Sequence, residues 1–231
     1  MSETTETDHF PQLAAPEEGE GPGADASISK EHGLAYWESV AADENGMLGG
    51  IPTVAGFANT SKIDLQGSRN FLAKFGIGSK SKSTKPGSGS GSGLKQCRRI
   101  LEGGAGVGRI TEGLLTDLLL VNEEGTGEME GKVDVVEPIA KFTAKLESKI
   151  KGVGKVYVMG LEEWVPEPEP EYKYDLVWTQ WCVGHLTDEQ LVQYLQRCKS
   201  ALAEDGLIVI KENTTVMGND EFDAEDSSVT R

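Results

Sequence analysis

The sequence predicts an α/β fold: a mostly parallel sheet with helices on both faces. Three observations predict it. From Arg98 onward, short β-branched runs alternate with segments of helical apolar period, the pattern of strand–helix–strand units. The first strand runs directly into a glycine-rich turn and then a helix, EGGAGVGR at 102–109. The last run, LIVIK at 207–211, is almost wholly apolar, as a strand covered on both faces must be. With 231 residues, 37% of them hydrophobic, the chain can bury one substantial core.

The elements follow in order. Residues 1–30 are rich in acids and prolines and poor in large apolar side chains, so they are expected to be a disordered acidic tail. Residues 31–75 are expected to form an N-terminal helical cap. Residues 31–42 suit a short helix, NGMLGG at 45–50 a glycine-rich turn, and Asp64 the cap of a second helix carrying Leu65, Phe71, Leu72 and Phe75. Residues 76–93 read as a flexible Gly/Ser linker or loop insertion, and 94–231 as the main domain. There, strands are expected at 98–102, 132–137, 155–159, 174–180 and 207–211. Helices are expected at 108–121, after Pro138 with Ile139, Phe142, Leu146 and Ile150 on one face, and after the capping box Thr187-Asp188-Glu189-Gln190. That last helix carries Leu191, Leu195, Cys198 and Leu202, and Gly206 sits where its C-cap belongs. The ligand crevice of such a sheet lies beyond the strand C-termini.

Composition excludes several classes. The net charge is −16, from 38 acids against 22 bases, which disfavours nucleic acid and anionic membranes and favours cationic partners such as basic peptides. No run of about 18 apolar residues exists, so no membrane-spanning helix is expected. MSETTETDHF lacks the charged start and apolar stretch of a secretory signal. Cys97, Cys182 and Cys198 form no CxxC pair, pointing to a reducing compartment, cytoplasmic and open to the nucleus. No metal site is expected.

The glycine loop points to a nucleotide-type ligand. A dinucleotide fingerprint GxGxxG fails, because its third glycine would fall at Arg109. The GxGxG spacing, preceded by an acid, resembles the first motif of class I S-adenosylmethionine-dependent methyltransferases. Glu137, ending the second strand, can accept hydrogen bonds from both ribose hydroxyls. Arg109 can offer a two-pronged donor to the methionine carboxylate.

Further segments occur together and in order: NGMLGG, LEGGAGVGRIT (101–111), GLEEWVPEP (160–168), WTQWCVGHLTD (178–188), IVIKEN (208–213) and DAEDSSV (223–229). This set resembles the protein alpha-N-terminal methyltransferases, which act on the α-amino group of proteins beginning Xaa-Pro-Lys or Xaa-Pro-Arg after Met removal. The resemblance implies a Rossmann-like class I methyltransferase sandwich with an N-terminal helical cap. It implies S-adenosyl-L-methionine held by Gly104, Arg109, Glu137, Leu161, Glu162 and Gln180. It places Trp37, Leu48, Trp181, Asn213, Asp223 and Ser228 in a peptide channel, with His185 and Asp226 removing the amine proton. The implied partners are basic N-terminal tails of substrate proteins, met by a monomer. Glu102, Glu137 and Glu162 stand where Asp, Asp and Gln are expected. The loop insertions at 80–93 and 121–131 are longer than the pattern. The pattern also continues past Arg231 with a helix and hairpin, so strands 6 and 7 are expected to be missing, leaving the fifth strand an open edge. Two other readings stay open at this point: a class I methyltransferase of small amines, and a short non-catalytic binder of cofactor or basic peptides.

Overall fold

A computed structural model describes residues 23–78, 95–121, 129–216 and 218–231. Residues 1–22 of the expected tail, most of the expected linker and 122–128 of the second insertion lie outside the described residues.

Strands β1 (Arg99–Gly103), β2 (Lys132–Val136), β3 (Val153–Tyr157), β4 (Tyr174–Gln180) and β5 (Leu202–Lys211) form one parallel sheet. Their order is β3-β2-β1-β4-β5, so the expected architecture is the one observed. Alternation along β1 explains why both faces are covered. Ile100 enters a core with Leu114, Leu115, Val133, Leu146 and Trp178. Its neighbour Leu101 enters the opposite core with Trp164, Val177, Tyr194 and Cys198. Successive strand side chains point to opposite faces, and each large buried side chain contributes about 1.5–3 kcal/mol. The chain leaves β1 toward β2 on one side and crosses to β4 on the other. The carboxyl ends of β1 and β4 therefore diverge into a crevice.

The helices are α1 (Lys30–Ser39), α2 (Glu44–Met47), α3 (Thr60–Lys74), α4 (Arg109–Gly113), α5 (Ala140–Lys149) and α6 (Asp188–Ala201). The capping box at the start of α6 is complete: the Thr187 hydroxyl accepts from the Gln190 N–H, and the Gln190 side chain accepts from the Thr187 N–H.

Several expectations are corrected. The helix expected at 108–121 stops at Gly113. Leu114 adopts φ −141, ψ −60, Arg69 of α3 donates to the Gly113 carbonyl, and a 3₁₀ turn, Leu115–Leu118, follows. Pro138 precedes α5 rather than opening it, because the Glu137 carboxylate takes the Ile139 N–H (2.9 Å) and holds Ile139 extended. Gly206 is not a C-cap. The chain turns from α6 into β5 at Leu202, and Asp205 carries the positive φ of 61°. Asp64 is not a helix cap but an interior residue of α3, which starts after Asn59. Among the described residues the main sheet lacks strands 6 and 7, as expected. A short antiparallel hairpin does exist, β6 (Glu221–Asp223) with β7 (Ser228–Thr230), but as a separate two-stranded sheet. Within the expected tail, Ala24–Ser27 form a 3₁₀ turn whose Asp25 accepts from the Asp188 N–H (3.0 Å).

Candidate functional site

The crevice holds a cavity of about 260 Å³. Its floor is the turn after β1. Gly104 and Gly106 have φ of 69° and 54°, a left-handed backbone that glycine adopts without steric cost. A Cβ at Gly104 would lie 2.4 Å from Cys182 Sγ, and one at Gly106 2.6 Å from Met47 Sδ. The α2 segment NGMLGG thus docks on the glycine loop through Met47.

One wall is Glu137 at the end of β2. Its Oε2 accepts the Gly106 N–H (2.8 Å) and its Oε1 the Ile139 N–H, leaving a lone pair on each oxygen for a diol. Burial raises its carboxyl pKa, and these two N–H groups oppose the rise. Glu102 is more deeply buried, accepts from Thr111 Oγ1 (2.5 Å), and is pushed up to about 8 by burial. At neutral pH it keeps its proton, so the side chain adds no charge to the floor. Leu161, Ile139 and Phe142 give an apolar surface. Glu162, expected beside an adenine, is paired with Lys30 of α1 at 2.7 Å, and Lys30 also reaches Glu163 at 3.0 Å.

At another end, Arg109 and Gln180 line the cavity. Arg109 Nη1 donates to Asp64 Oδ2 (2.8 Å) and Gln180 Nε2 to the same oxygen (3.0 Å). The guanidinium stands 5.1 Å over the Trp181 ring, and Trp181 holds a φ of 56°.

The third end is built by α1 and the turn after β4. The Trp37 indole N–H donates to His185 Nε2 (3.0 Å), so a neutral His185 carries its proton on Nδ1. Burial pushes the His185 pKa down from 6.5; the charge of Asp226 and a backbone bond to Ser227 oppose this. Asp226 Oδ2 lies 3.9 Å from His185 Nε2. The Ser228 hydroxyl donates to Asp226 Oδ1 (2.6 Å). Ser227, with φ 59°, accepts the Ser29 N–H at its hydroxyl oxygen (2.7 Å) and ties the hairpin to α1.

The structure brings together Gly104, Arg109, Glu137, Leu161, Glu162, Gln180, Trp37, Trp181 and His185 around this cavity. Leu48, Asn213, Asp223, Asp226 and Ser228 are not among its lining residues. Leu48 is buried. Asn213 and Asp223 are exposed, their surroundings being the Glu212 side chain and the Glu225 N–H respectively. Asp226 approaches the Nε2 side of His185, and Ser228 bonds Asp226. Sequence reasoning missed the roles of Asp64, Lys30 and Lys211. A signal existed for Asp64: Asp64 and Ser68 lie one helical turn apart on a face that also carries Leu65 and Leu72. No group of His, Cys, Asp and Glu among the described residues could hold a metal ion, and no described helix is long and apolar enough to cross a membrane.

The parallel sheet of order β3-β2-β1-β4-β5, with its glycine turn opening on the crevice, is the architecture of a Rossmann-like methyltransferase. The family described as AdoMet dependent proline di-methyltransferase matches residues 25–231. N-terminal Xaa-Pro-Lys N-methyltransferase 1-B of Xenopus laevis is 40% identical over 200 residues, covering 85% of this chain and 75% of that one. Alpha N-terminal protein methyltransferase 1 of Schizosaccharomyces pombe is 37% identical over 200 residues, covering 86% and 76%. The solved structure of a SAM-dependent methyltransferase from Leishmania major superposes with a TM-score of 0.65 at 32% identity, covering 87% of this chain and 67% of that one. The chain belongs to the AdoMet-dependent proline di-methyltransferase family, and its cofactor is S-adenosylmethionine.

Proposed function

We propose that the chain methylates the α-amino group of proteins whose processed N-terminus reads Xaa-Pro-Lys or Xaa-Pro-Arg. One observation carries the reading. A single cavity joins a cofactor end, Gly104 with Glu137 and Arg109, to an amine end of Trp37, Trp181 and His185 approached by Asp226. The Xenopus laevis relative is named for the Xaa-Pro-Lys motif.

Bound S-adenosylmethionine supplies a methyl group on a sulfonium. The chain's own residues do the rest. Glu137 accepts the ribose hydroxyls, Arg109 and Gln180 face the amino-acid end, and Leu161 and Glu162 flank the base. An α-amine has a pKa of about 7.7–8, so at neutral pH it arrives mostly as ammonium. Asp226 attracts that ammonium but cannot by itself favour the neutral amine. His185, kept neutral by burial, takes the proton at Nε2 once the Trp37 indole releases it. The indoles of Trp37 and Trp181 wall the second-position proline and stabilise a methylated ammonium through their faces. We assign Leu48 to the same peptide channel. Asn213, Asp223 and Ser228 lie on the route of the third-position Lys or Arg, where the net charge of −16 steers a basic tail. A 24.8 kDa monomer working in the cytoplasm, with entry to the nucleus and without nucleic-acid or membrane contacts, completes the proposal.

The test uses purified chain, S-adenosylmethionine and a Ser-Pro-Lys-Arg peptide, beside a twin with a blocked α-amine. Mass gain located on the free α-amine alone supports the reading. Gain on lysine, or on small amines only, overturns it. No gain with cofactor bound replaces it with the non-catalytic binder.

A further inference from the structure

One buried carboxylate gathers side chains from three elements behind the cavity. Asp64 of α3 has a side chain only 6% exposed. It accepts from Arg109 Nη1 (2.8 Å), from Gln180 Nε2 (3.0 Å) and from Lys211 Nζ at the end of β5. Lys211 Nζ also donates to Ser68 Oγ (2.9 Å), one helical turn along α3, and stands 5.9 Å from the Trp181 ring centre. Burial alone would raise the Asp64 pKa. The bonds from Lys211, Arg109 and Gln180 outweigh burial and hold the carboxyl below its ordinary 3.8, so the group is charged at neutral pH.

Arg109 and Gln180 line the cavity, and Asp64 and Lys211 do not. The carboxylate therefore does not plug the site; it stands behind it. The cluster sets two cations against one anion, and of the two cations Arg109 lines the cavity. A guanidinium has five N–H donors, and Asp64 occupies only one edge.

We infer that Asp64 is a positioning residue for the cofactor's amino-acid carboxylate, holding Arg109 and Gln180 from behind while Lys211 supplies the second cation. This rests on the cofactor reading above. The gain is preorganisation: the long Arg109 side chain is already fixed before ligand arrives, so its ordering is not charged against binding. The arrangement also couples cap to sheet, because α3 supplies the anion while α4, β4 and β5 supply its partners.

Two ligands separate this role from a merely structural one. S-adenosylhomocysteine carries the amino-acid head; 5′-methylthioadenosine keeps the nucleoside and thioether but lacks it. Both are titrated into the full wild-type chain, Asp64→Asn and Lys211→Met, with affinities read by calorimetry. Asparagine keeps the volume, but its amide NH₂ faces donors, so Arg109, Lys211 or Gln180 loses its acceptor. Asp64→Asn should weaken S-adenosylhomocysteine about tenfold or more while changing methylthioadenosine less than about twofold. Lys211→Met should weaken the first ligand selectively by about threefold, and it keeps the test decisive where Asp64→Asn folds poorly. Equal losses for both ligands, or no loss for either, overturn the inference. A wild-type chain that binds neither ligand overturns the cofactor reading, and the inference with it.

Discussion

Replacing Gly104 with alanine perturbs the loop on which the proposed cofactor end is built. Two costs add. Alanine at φ 69° pays about 1–2 kcal/mol for a left-handed backbone. Its Cβ would also lie 2.4 Å from Cys182 Sγ and 2.7 Å from Cys182 Cβ. Neither atom is the far end of a flexible chain, and overpacking of this kind costs about 1–3 kcal/mol. The sum is about 2–5 kcal/mol. Gly106→Ala is the internal control. Its φ of 54° carries the same backbone cost, but its Cβ would meet Met47 Sδ, the end of an adaptable side chain, so about 1–2 kcal/mol is expected. Urea unfolding followed by tryptophan fluorescence gives both values, and calorimetry with S-adenosylhomocysteine gives the accompanying loss of affinity. Cys182→Ala should not rescue Gly104→Ala, because the Cβ at 2.7 Å remains. The reasoning is refuted if Gly104→Ala costs no more than Gly106→Ala, or if Cys182→Ala restores it.

Three further outcomes are expected. Glu102 is held near 8 against 4.5, so the native chain keeps a proton that the unfolded chain loses. Stability should therefore fall as pH rises from about 4.5 to 8. Glu102→Gln should flatten that slope, and urea midpoints at pH 5 and pH 8 that fall equally in both proteins would count against it. The imidazole of His185, followed by NMR and assigned with His185→Gln, should titrate below 6.5. Asp226→Asn should lower the midpoint further by removing the charge that raises it; an upward shift would contradict the geometry. Thr187→Ala breaks the capping box and should cost about 1 kcal/mol, whereas a change indistinguishable from zero in chemical unfolding would show that α6 is fixed by packing alone.

Local chemistry was legible in the sequence and distant chemistry was not. The capping box at Thr187 and the strand at 174–180 depend on neighbours a few residues away, and both appear where the residue pattern puts them. The glycine loop was legible because strand, turn and helix are contiguous. The end of α4 was not, because Arg69, 44 residues earlier, takes the Gly113 carbonyl. Gly206 misled because the left-handed position went to Asp205. Asp64 looked like a cap because its partners lie far along the chain, Arg109 45 residues away, Gln180 116 and Lys211 147. The bond from Trp37 to His185 spans 148 residues, so the resemblance could name both residues but not show that one occupies the other's lone pair. Glu102 lengthens an expected Asp, and Glu162 adds a charge where Gln is expected. The fold neutralises the first by burial and pairs the second with Lys30.

A two-ligand titration tests most directly that one cavity serves both cofactor and amine. The amides of Gly104 and Gly106, the indole N–H groups of Trp37 and Trp181 and the His185 imidazole are followed by NMR. S-adenosylhomocysteine is added first and a Ser-Pro-Lys-Arg peptide second. We expect the first ligand to shift Gly104, Gly106 and Trp181, and the second to shift His185 and release the Trp37 indole from it while the first stays bound. Displacement of the first ligand by the peptide, or a peptide response that leaves Trp37 and His185 unchanged, would contradict a shared site.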